Sequence, residues 1–199
     1  QVAHVILVNN GPLLRMLPDT LPAAVSIIDP GANIGVAAAF NRGIARAREA
    51  GAGYVLLLDQ DSLPAEDMVS VLQTAEMRLR QQGVPVAAVG PRCRDSRTHQ
   101  IAGFVQYKWF RNAYVHGSDR LPVVKTDFLI SSGSFYPIGI FDKVGLFDEG
   151  LFIDHVDTEW CHRAASLGYA CYGVHHALMQ HTLGEGGVRF WLLRWYRQP

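Results

Sequence analysis

Short apolar runs alternate with longer amphipathic segments along most of the chain. The runs have strand length and end at polar residues, glycine or proline. They are Val5–Val8, Val25–Ile28, Tyr54–Leu58, Val84–Val89, Val123–Ile130 and Tyr169–Val174. Apolar residues recur at helical spacing in the segments 36–50, 66–82 and 159–167. Because a strand, a helix and a strand follow one another over 25–58, the pattern predicts an α/β fold with a parallel βαβ unit.

The run Tyr54–Leu58 is the most informative of these strands. It contains no charged residue, which predicts a strand buried on both faces in the middle of the sheet. Asp59 and Asp61 follow at its carboxyl end, where open α/β sheets bind ligands, and extended geometry places both side chains on one side. Two neighbouring carboxylates suit a shared Mg²⁺ or Mn²⁺ ion. A polar strand end, with Asp61 or Ser62 capping the next helix, explains the same residues equally well.

The composition is that of an ordinary globular protein and excludes few functions. The 199 residues are enough for one sizeable core, so a single domain over 1–199 is expected. Equal numbers of acidic and basic residues argue against an extended nucleic-acid-binding surface. Three cysteines without metal-type spacing indicate reduced thiols and a cytoplasmic setting. No apolar run approaches the roughly 20 residues of a membrane span.

Two segments have less regular patterns. The segment 92–121 mixes polar and aromatic residues and is expected to leave the sheet, with a hairpin around 101–109. The tail 190–197 combines aromatic and cationic residues, a composition suited to peripheral contact with a membrane surface. A helix packed against the domain, or against a second copy of the chain in a homo-oligomer, accounts for the tail equally well.

Four motifs, in this order along the chain, resemble the family-2 glycosyltransferases, which are inverting enzymes with a nucleotide-diphospho-sugar-binding fold. The motifs are Asn33-x-Gly35-x-Ala37-x-x-x-Asn41-x-Gly43-Ile44, Asp59-Gln60-Asp61-Ser62, Asp157-x-Glu159-x-Cys161-x-Arg163 and His181. The second motif, together with the segments 152–154 and 156–160, is similar to the rhamnosyltransferase branch, which uses dTDP-L-rhamnose. The resemblance covers 5–181. It implies a GT-A-like fold with a mixed, mainly parallel central sheet.

On the donor side, the resemblance implies that Asn33 and Gly35 border the nucleotide. It also implies that Asp59 faces the ribose, that Asp61 binds the Mg²⁺ or Mn²⁺ ion bridging the diphosphate, and that His181 is a further metal ligand. Independently of the resemblance, Gly35 permits a close backbone approach, and the helix after it is expected to present free N–H groups to an anion. A capped helix with Gly43 packed on a neighbour is the structural alternative.

On the acceptor side, the resemblance implies that Asp157 is the base that takes the proton of the acceptor hydroxyl. Asp154 and Glu159 are its close competitors, and Ser132 and Gly133 are candidates to line the acceptor side. A purely structural interpretation is also open, because Asp157 can cap the following helix and the serine-rich segment can be a plain turn.

The chain departs from its relatives at the N-terminal side. It begins after a strand that usually carries a Thr-Tyr-Asn-like segment, so the first strand of the family is expected to be missing. Asn9 stands where an aspartate is common. An amide offers a donor that a carboxylate lacks, so recognition of the pyrimidine base is expected to differ.

The leading functional hypothesis is a metal-assisted, inverting transfer of L-rhamnose from dTDP-L-rhamnose. The expected acceptor is a cell-surface polysaccharide or a lipid-linked glycan, reached from the cytoplasm at the inner face of the cell membrane. One alternative keeps the mechanism with another donor such as UDP-galactofuranose. The other is a catalytically silent module that binds a nucleotide or a glycan.

Overall fold

The computed structural model describes residues 2–11, 22–109, 111–181, 188–190 and 193–195. For residue 111 and for the last two of these ranges it describes the backbone alone. The helical turn suggested by the apolar residues of 13–17 lies outside the described residues.

The described elements follow the order that the apolar pattern predicts, with some changes of length. The strands are β1 (Val5–Val8), β2 (Val25–Ile28), β3 (Tyr54–Leu56), β4 (Leu63–Pro64), β5 (Val86–Asp95), β6 (Phe104–Lys108), β7 (Arg111–Val115), β8 (Val123–Thr126), β9 (Phe135–Pro137), β10 (Ala170–His181), β11 (Val188–Phe190) and β12 (Leu193–Trp195). The helices are α1 (Val36–Glu49), α2 (Met68–Gln81), α3 (Phe141–Val144) and α4 (Val156–Ser166).

The main sheet is mixed. Its hydrogen-bonded order is β3, β9, β5, β10 and β4, and β8 pairs with β10 beside this path. The long strands β5 and β10 run parallel, whereas β9, β4 and β8 run antiparallel to their neighbours. Strands β1 and β2 form a separate parallel pair, and β6 and β7 form the antiparallel hairpin expected in the segment 92–121.

Strand β3 differs from the prediction in its position. It is the terminal strand of the described main sheet, paired antiparallel with β9 alone, and β2 pairs with β1. The predicted central strand and the predicted parallel βαβ pairing are therefore wrong among the described residues. Its residues still contact apolar groups on both faces, because Val55 packs on one core cluster and Tyr54 and Leu56 on the other. An edge strand covered on both faces has the same unbroken apolar run as a central one.

The core consists of two clusters on opposite faces of the main sheet. The larger one is built around Trp160 of α4, which is fully buried and donates its indole N–H to the carbonyl of Gly145 at 2.8 Å. The smaller one packs α2 on β5 and β10 through residues such as Leu72 and Met179. All three cysteines are buried and free, as predicted. The two clusters fix α4 and the ends of β3 and β10, which carry the candidate site.

The C-terminal tail forms a short antiparallel strand pair, β11 with β12, where a helix was one of the expectations. Its side chains lie outside the described part of the structure, so the membrane and oligomer hypotheses remain predictions. Among the described helices, none combines the length and the apolarity needed to cross a bilayer.

Candidate active site

The acidic loop, residues 57–62 between β3 and β4, lies next to His181, the last residue of β10. Strand β4 follows the loop and pairs antiparallel with the end of β10, with Leu63 opposite Gln180. This pairing brings the ligating atoms of Asp59, Asp61 and His181 within 4.8 Å of one another. The His181 Nδ1 atom lies 3.5 Å from Asp61 Oδ1. The structure therefore brings together the three residues expected to hold a metal, although His181 ends a strand and does not lie beyond it.

The hydroxyl groups of Ser62 and Ser132 connect the acidic loop to the serine turn, residues 131–134, and to His181. The backbone N–H of Asp59 donates to Ser132 Oγ at 2.9 Å, and the hydroxyls of Ser132 and Ser62 lie 2.6 Å apart. The Ser62 hydroxyl also lies 2.8 Å from His181 Nδ1. Ser132 is almost completely buried, and its hydroxyl positions the acidic loop; its predicted place on the acceptor side remains a prediction.

The Asp59 carboxyl has an unfavourable environment for a negative charge. Burial raises its pKa most, and the negative charges of Asp61 and Asp157 raise it further, while His181 lowers it. A divalent cation would relieve this repulsion. Two carboxylates and one imidazole also fit a Mg²⁺ or Mn²⁺ ion that keeps further positions for solvent or phosphate oxygens. The residues present therefore fit the expected cofactor.

Asp157 lies in the first turn of α4, across the serine turn from the acidic loop. Its Oδ2 accepts the N–H of Ser131 at 3.3 Å, and its Oδ1 accepts the N–H of Thr158 at 2.7 Å. Ser131 donates to the Asp157 carboxylate, and the next residue, Ser132, accepts the backbone N–H of Asp59, so one dipeptide joins the Asp157 side chain to the backbone of the acidic loop. Asp157 accepts the N–H of Thr158, the next residue of α4, and also contacts the serine turn. It lies inside the helix, whose N-cap position is His155, so it is not the N-cap.

The serine turn is closely packed. Gly133 has φ +83°, and a Cβ atom there would meet Met179 Sδ at 2.8 Å and Pro91 Cγ at 2.9 Å. Its N–H donates to the carbonyl of Leu57 at 2.7 Å, immediately before the acidic loop. Gly133 is therefore enclosed by core atoms, and its role is to let the turn pack closely under the loop.

The two competitors of Asp157 differ from it in surroundings. Glu159 forms a two-point ion pair with Arg163, at 2.7 and 2.8 Å, and Arg163 also donates to the carbonyls of Val144 and Leu146. This arrangement gives Glu159 a structural function at the surface of α4. Asp154 is exposed in the loop that leads into α4.

That loop has a strained backbone. Phe152 has φ +58° and ψ −67°, and the N–H of Ile153 donates to the carbonyl of Leu151 across it, so the three residues form a tight turn. His155, directly before α4, also has a positive φ of +61°. Strained non-glycine residues of this kind are frequent at functional sites. The strain lies within five residues of Asp157 on the chain.

The start of α1 does not offer the anion site that was expected. The N–H groups of Val36 and Ala37 donate to the carbonyl of Phe152 at 2.7 and 3.4 Å. Gly35, with φ +82°, permits this approach, since a Cβ there would lie 2.8 Å from the same carbonyl oxygen. The expected close approach at Gly35 is present, but its partner is this chain's own loop. Asn33 accepts the N–H of Gly35 at 2.9 Å and so shapes the turn before the helix.

The ends of β1 and β2 are joined by polar side chains. Asn9 donates to Asp29 Oδ1 at 3.3 Å, and Asn10 accepts the N–H of Ile34 at 2.8 Å. Gly43 of α1 packs over Val8, with 3.7 Å to its Cγ2 atom from an added Cβ, as the structural interpretation proposed. Asn9 therefore has an acidic partner, which directly follows β2.

The hydrogen bonds of three residues at this site could not be predicted from the sequence. Ser62, Ser131 and Phe152 bond residues that are distant in sequence, for which the pattern contains no signal. Asn41 belongs to the first of the four motifs, which predicted no function for it. It is buried and both donates to and accepts from the backbone of Phe147, at 2.9 and 3.0 Å, which ties α1 to the segment before α4.

Comparisons with known proteins agree with this geometry. The chain is 30% identical, over 165 residues and 83% of its length, to the dTDP-rhamnosyl transferase RfbF of Shigella flexneri. It spans 54% of the length of that relative. No protein-family model matches the chain. The resemblance to rhamnosyltransferases that the motifs indicate is confirmed by this relative.

Two solved structures share the fold. GalNAc-T7 with UDP, GalNAc and Mn²⁺ superimposes with a TM-score of 0.70 at 15% identity, over 91% of this chain and 38% of that one. S. aureus TarS in complex with UDP superimposes with a TM-score of 0.53 at 12% identity, over 81% of this chain and 44% of that one. The predicted GT-A-like α/β fold is thereby confirmed.

Proposed function

We propose that this chain, similar in sequence to a dTDP-rhamnosyl transferase and sharing a GT-A-like fold, forms the donor and acceptor site of an inverting glycosyltransferase. The proposed donor is dTDP-L-rhamnose. The proposed acceptor is a hydroxyl group of a cell-surface polysaccharide or of a lipid-linked glycan. The observation that carries the proposal is the dipeptide Ser131–Ser132, which holds a potential base on one side and the acidic loop on the other.

Asp59, Asp61 and His181 are the residues that would hold a Mg²⁺ or Mn²⁺ ion. When bound, such an ion neutralises the charge that develops on a departing nucleoside diphosphate. The protein contributes the position of the ligands, since Ser62 contacts the imidazole and Ser132 accepts the N–H of Asp59. The negative charges of Asp61 and Asp157, which contribute to the raised pKa of Asp59, are charges that a bound cation would offset.

Asp157 is proposed to take the proton from the attacking acceptor hydroxyl. A single displacement with inversion needs a base on the face of the sugar opposite the leaving group. The N–H groups of Ser131 and Thr158 each donate to one oxygen of the Asp157 carboxylate and hold it in one orientation. Positioning of this kind contributes to catalysis before the chemical step begins.

The test separates donor binding from transfer. We expect the protein to bind dTDP in a Mn²⁺-dependent manner and to release dTDP from dTDP-L-rhamnose when lipid-linked glycan acceptors are supplied. Asp61→Asn should lose the Mn²⁺-dependent binding, whereas Asp157→Asn should keep it and lose transfer by about 10²-fold or more. Asp142→Asn, which removes an exposed ion pair with Arg48, is the control and should behave as the unmodified protein.

Three results would contradict parts of the proposal. Undiminished turnover in excess chelator would remove the metal ion from the mechanism. Faster transfer from UDP-galactofuranose than from dTDP-L-rhamnose would change the donor and leave the roles of the residues intact. Nucleotide binding without transfer from any donor, and without an effect of Asp157→Asn, would identify a silent binding module.

A further inference from the structure

A second cluster of metal-ligating side chains lies away from the acidic loop. It comprises His175 and His176 of β10 and Asp119 in the turn between β7 and β8, and their ligating atoms lie within 4.8 Å of one another. Asp119 Oδ1 is 3.9 Å from His175 Nε2 and 3.8 Å from His176 Nε2. Strand β10 carries this cluster near its middle and the candidate active site at its end, at His181. The two clusters share no residue.

An irregularity in β10 explains how two consecutive histidines face one carboxylate. Successive side chains of a regular strand point to opposite faces. The register of β10 against β5 changes between Val174 and Leu178, which pair with the consecutive residues Pro91 and Arg92. The extra residues of β10 form a bulge, and a bulge re-aims the side chains that it carries. The two imidazole rings consequently lie edge to face, with their centroids 5.1 Å apart.

The carboxylate is held in place by a tight turn. Ser118 and Leu121 exchange two backbone hydrogen bonds of 3.0 Å, which leaves Asp119 at the tip of a two-residue loop. The turn is fastened to the bulge, because the N–H of His175 donates to the carbonyl of Pro122 at 2.8 Å. Gly117 makes the approach possible, since a Cβ there would lie 2.8 Å from the Cβ of His175.

The surroundings of the His175 ring suit a metal ligand. Burial lowers the pKa of His175, and the positive charges of Arg92 and His176 lower it further, against an opposite effect of Asp119. A neutral imidazole ring has a lone pair to donate to a metal ion. Its Nδ1 atom is buried without a hydrogen-bond partner in the part of the chain that the structure describes. Arg92 also opposes a bound cation, and the Asp119 carboxylate offsets that charge.

We propose that His175, His176 and Asp119 form a binding site for a divalent transition metal of the zinc class, independent of the cation proposed for Asp59 and Asp61. Two imidazoles and one carboxylate are a donor set that favours such an ion over Mg²⁺. Tetrahedral coordination with bonds of about 2.1 Å places neighbouring ligand atoms about 3.4 Å apart. The observed distances of 3.8 and 3.9 Å close to that value by a small rotation of Asp119, whose side chain is 90% exposed. The bound ion would cross-link the turn 118–121 to the bulge of β10.

The experiment measures metal binding directly. Zn²⁺ is titrated calorimetrically into the protein in the presence of excess Mg²⁺, and Co²⁺ is added in parallel to record its visible absorption bands. We expect one equivalent of Zn²⁺ and cobalt bands typical of low coordination number. His176→Asn and Asp119→Asn should each weaken binding about tenfold or more, because each removes one of three ligands.

Matched controls identify the location of the ion. His116→Asn changes a nearby exposed histidine outside the cluster and should leave Zn²⁺ binding unchanged. Asp61→Asn should also leave it unchanged, since that residue belongs to the other cluster. Loss of Zn²⁺ binding in Asp61→Asn, with retention in His176→Asn and Asp119→Asn, would assign the ion to the acidic loop and overturn the proposal. Absence of binding by the unmodified protein would overturn it as well.

Discussion

The close contact between the start of α1 and the loop before α4 predicts a large effect of Gly35→Ala. A Cβ at Gly35 would lie 2.7 Å from Phe152 Cδ2 and 2.8 Å from the Phe152 carbonyl oxygen. The ring can rotate away, but the carbonyl is backbone and accepts the N–H groups of Val36 and Ala37. The substitution must therefore move the loop or the helix, and either movement breaks these hydrogen bonds.

The magnitude follows from three contributions. The backbone at Gly35, with φ 82° and ψ 160°, is a conformation that alanine adopts at a cost of about 1 to 3 kcal/mol. Each of the two lost hydrogen bonds adds about 0.5 to 1.5 kcal/mol. The expected loss in the free energy of unfolding is therefore about 2 to 6 kcal/mol, measured by urea denaturation.

Gly31→Ala is the matched control. Gly31 also has a positive φ, of +77°, but nothing lies within 4 Å of its added Cβ. It should lose only about 1 to 2 kcal/mol, from backbone strain. Phe152→Ala combined with Gly35→Ala should recover the part of the loss that the ring causes and no more. Equal losses for Gly31→Ala and Gly35→Ala would refute the argument, because they would show that the contact with Phe152 contributes nothing.

Three further substitutions test the interior of the site. The raised pKa of Asp59 means that, between the ordinary carboxyl pKa and its own, the folded state binds more protons than the unfolded state. Without metal, the free energy of unfolding should therefore fall as pH rises through this range. Thermal unfolding should show that Mn²⁺ reverses the fall, and Asp59→Asn should abolish both effects. Ser132→Ala leaves the N–H of Asp59 without its acceptor and should cost about 1 to 3 kcal/mol in urea unfolding and also weaken Mn²⁺ binding in calorimetry; unchanged Mn²⁺ affinity would contradict its positioning role. Asn41→Ala removes the side-chain partner of the Phe147 N–H and carbonyl and should lower the free energy of unfolding by about 2 to 4 kcal/mol. The exposed control Arg46→Ala should lower it by less than about 1 kcal/mol. Similar losses for the two variants would contradict a stabilising role of the buried Asn41 amide.

The sequence predicted the elements better than it predicted their pairing. Helix α1 and strands β1 and β2 have nearly the predicted bounds, because their periodicity is local. The place of β3 at the end of the described sheet could not be predicted, since an unbroken apolar run does not reveal which strands lie beside it. Strand β10 continues to His181, seven residues past its predicted end, because polar and histidine residues follow its apolar part.

For the candidate site too, the sequence predicted the residues better than their contacts. The position of Asp59 and Asp61 after a strand and the family resemblance, which alone suggested His181, identified these three residues, and the structure places them together. The contacts that hold them come from Ser62 and Ser132, whose partners lie about 70 to 120 residues away. The start of α1 was interpreted as an anion site because the sequence gives no indication that a distant carbonyl occupies its N–H groups.

The serine turn limits how the proposed enzyme could change its specificity. Ser131 and Ser132 are joined by one peptide bond, so two hydrogen bonds and one dipeptide link the acid that would face the acceptor to the loop that would face the donor. Moving the acid and the loop apart to admit a bulkier sugar would break at least one of these two hydrogen bonds. The exposed side chains of Phe152 and Asp154 lie outside this link, so we expect shifts in donor preference to arise from substitutions there, which leave the two hydrogen bonds intact.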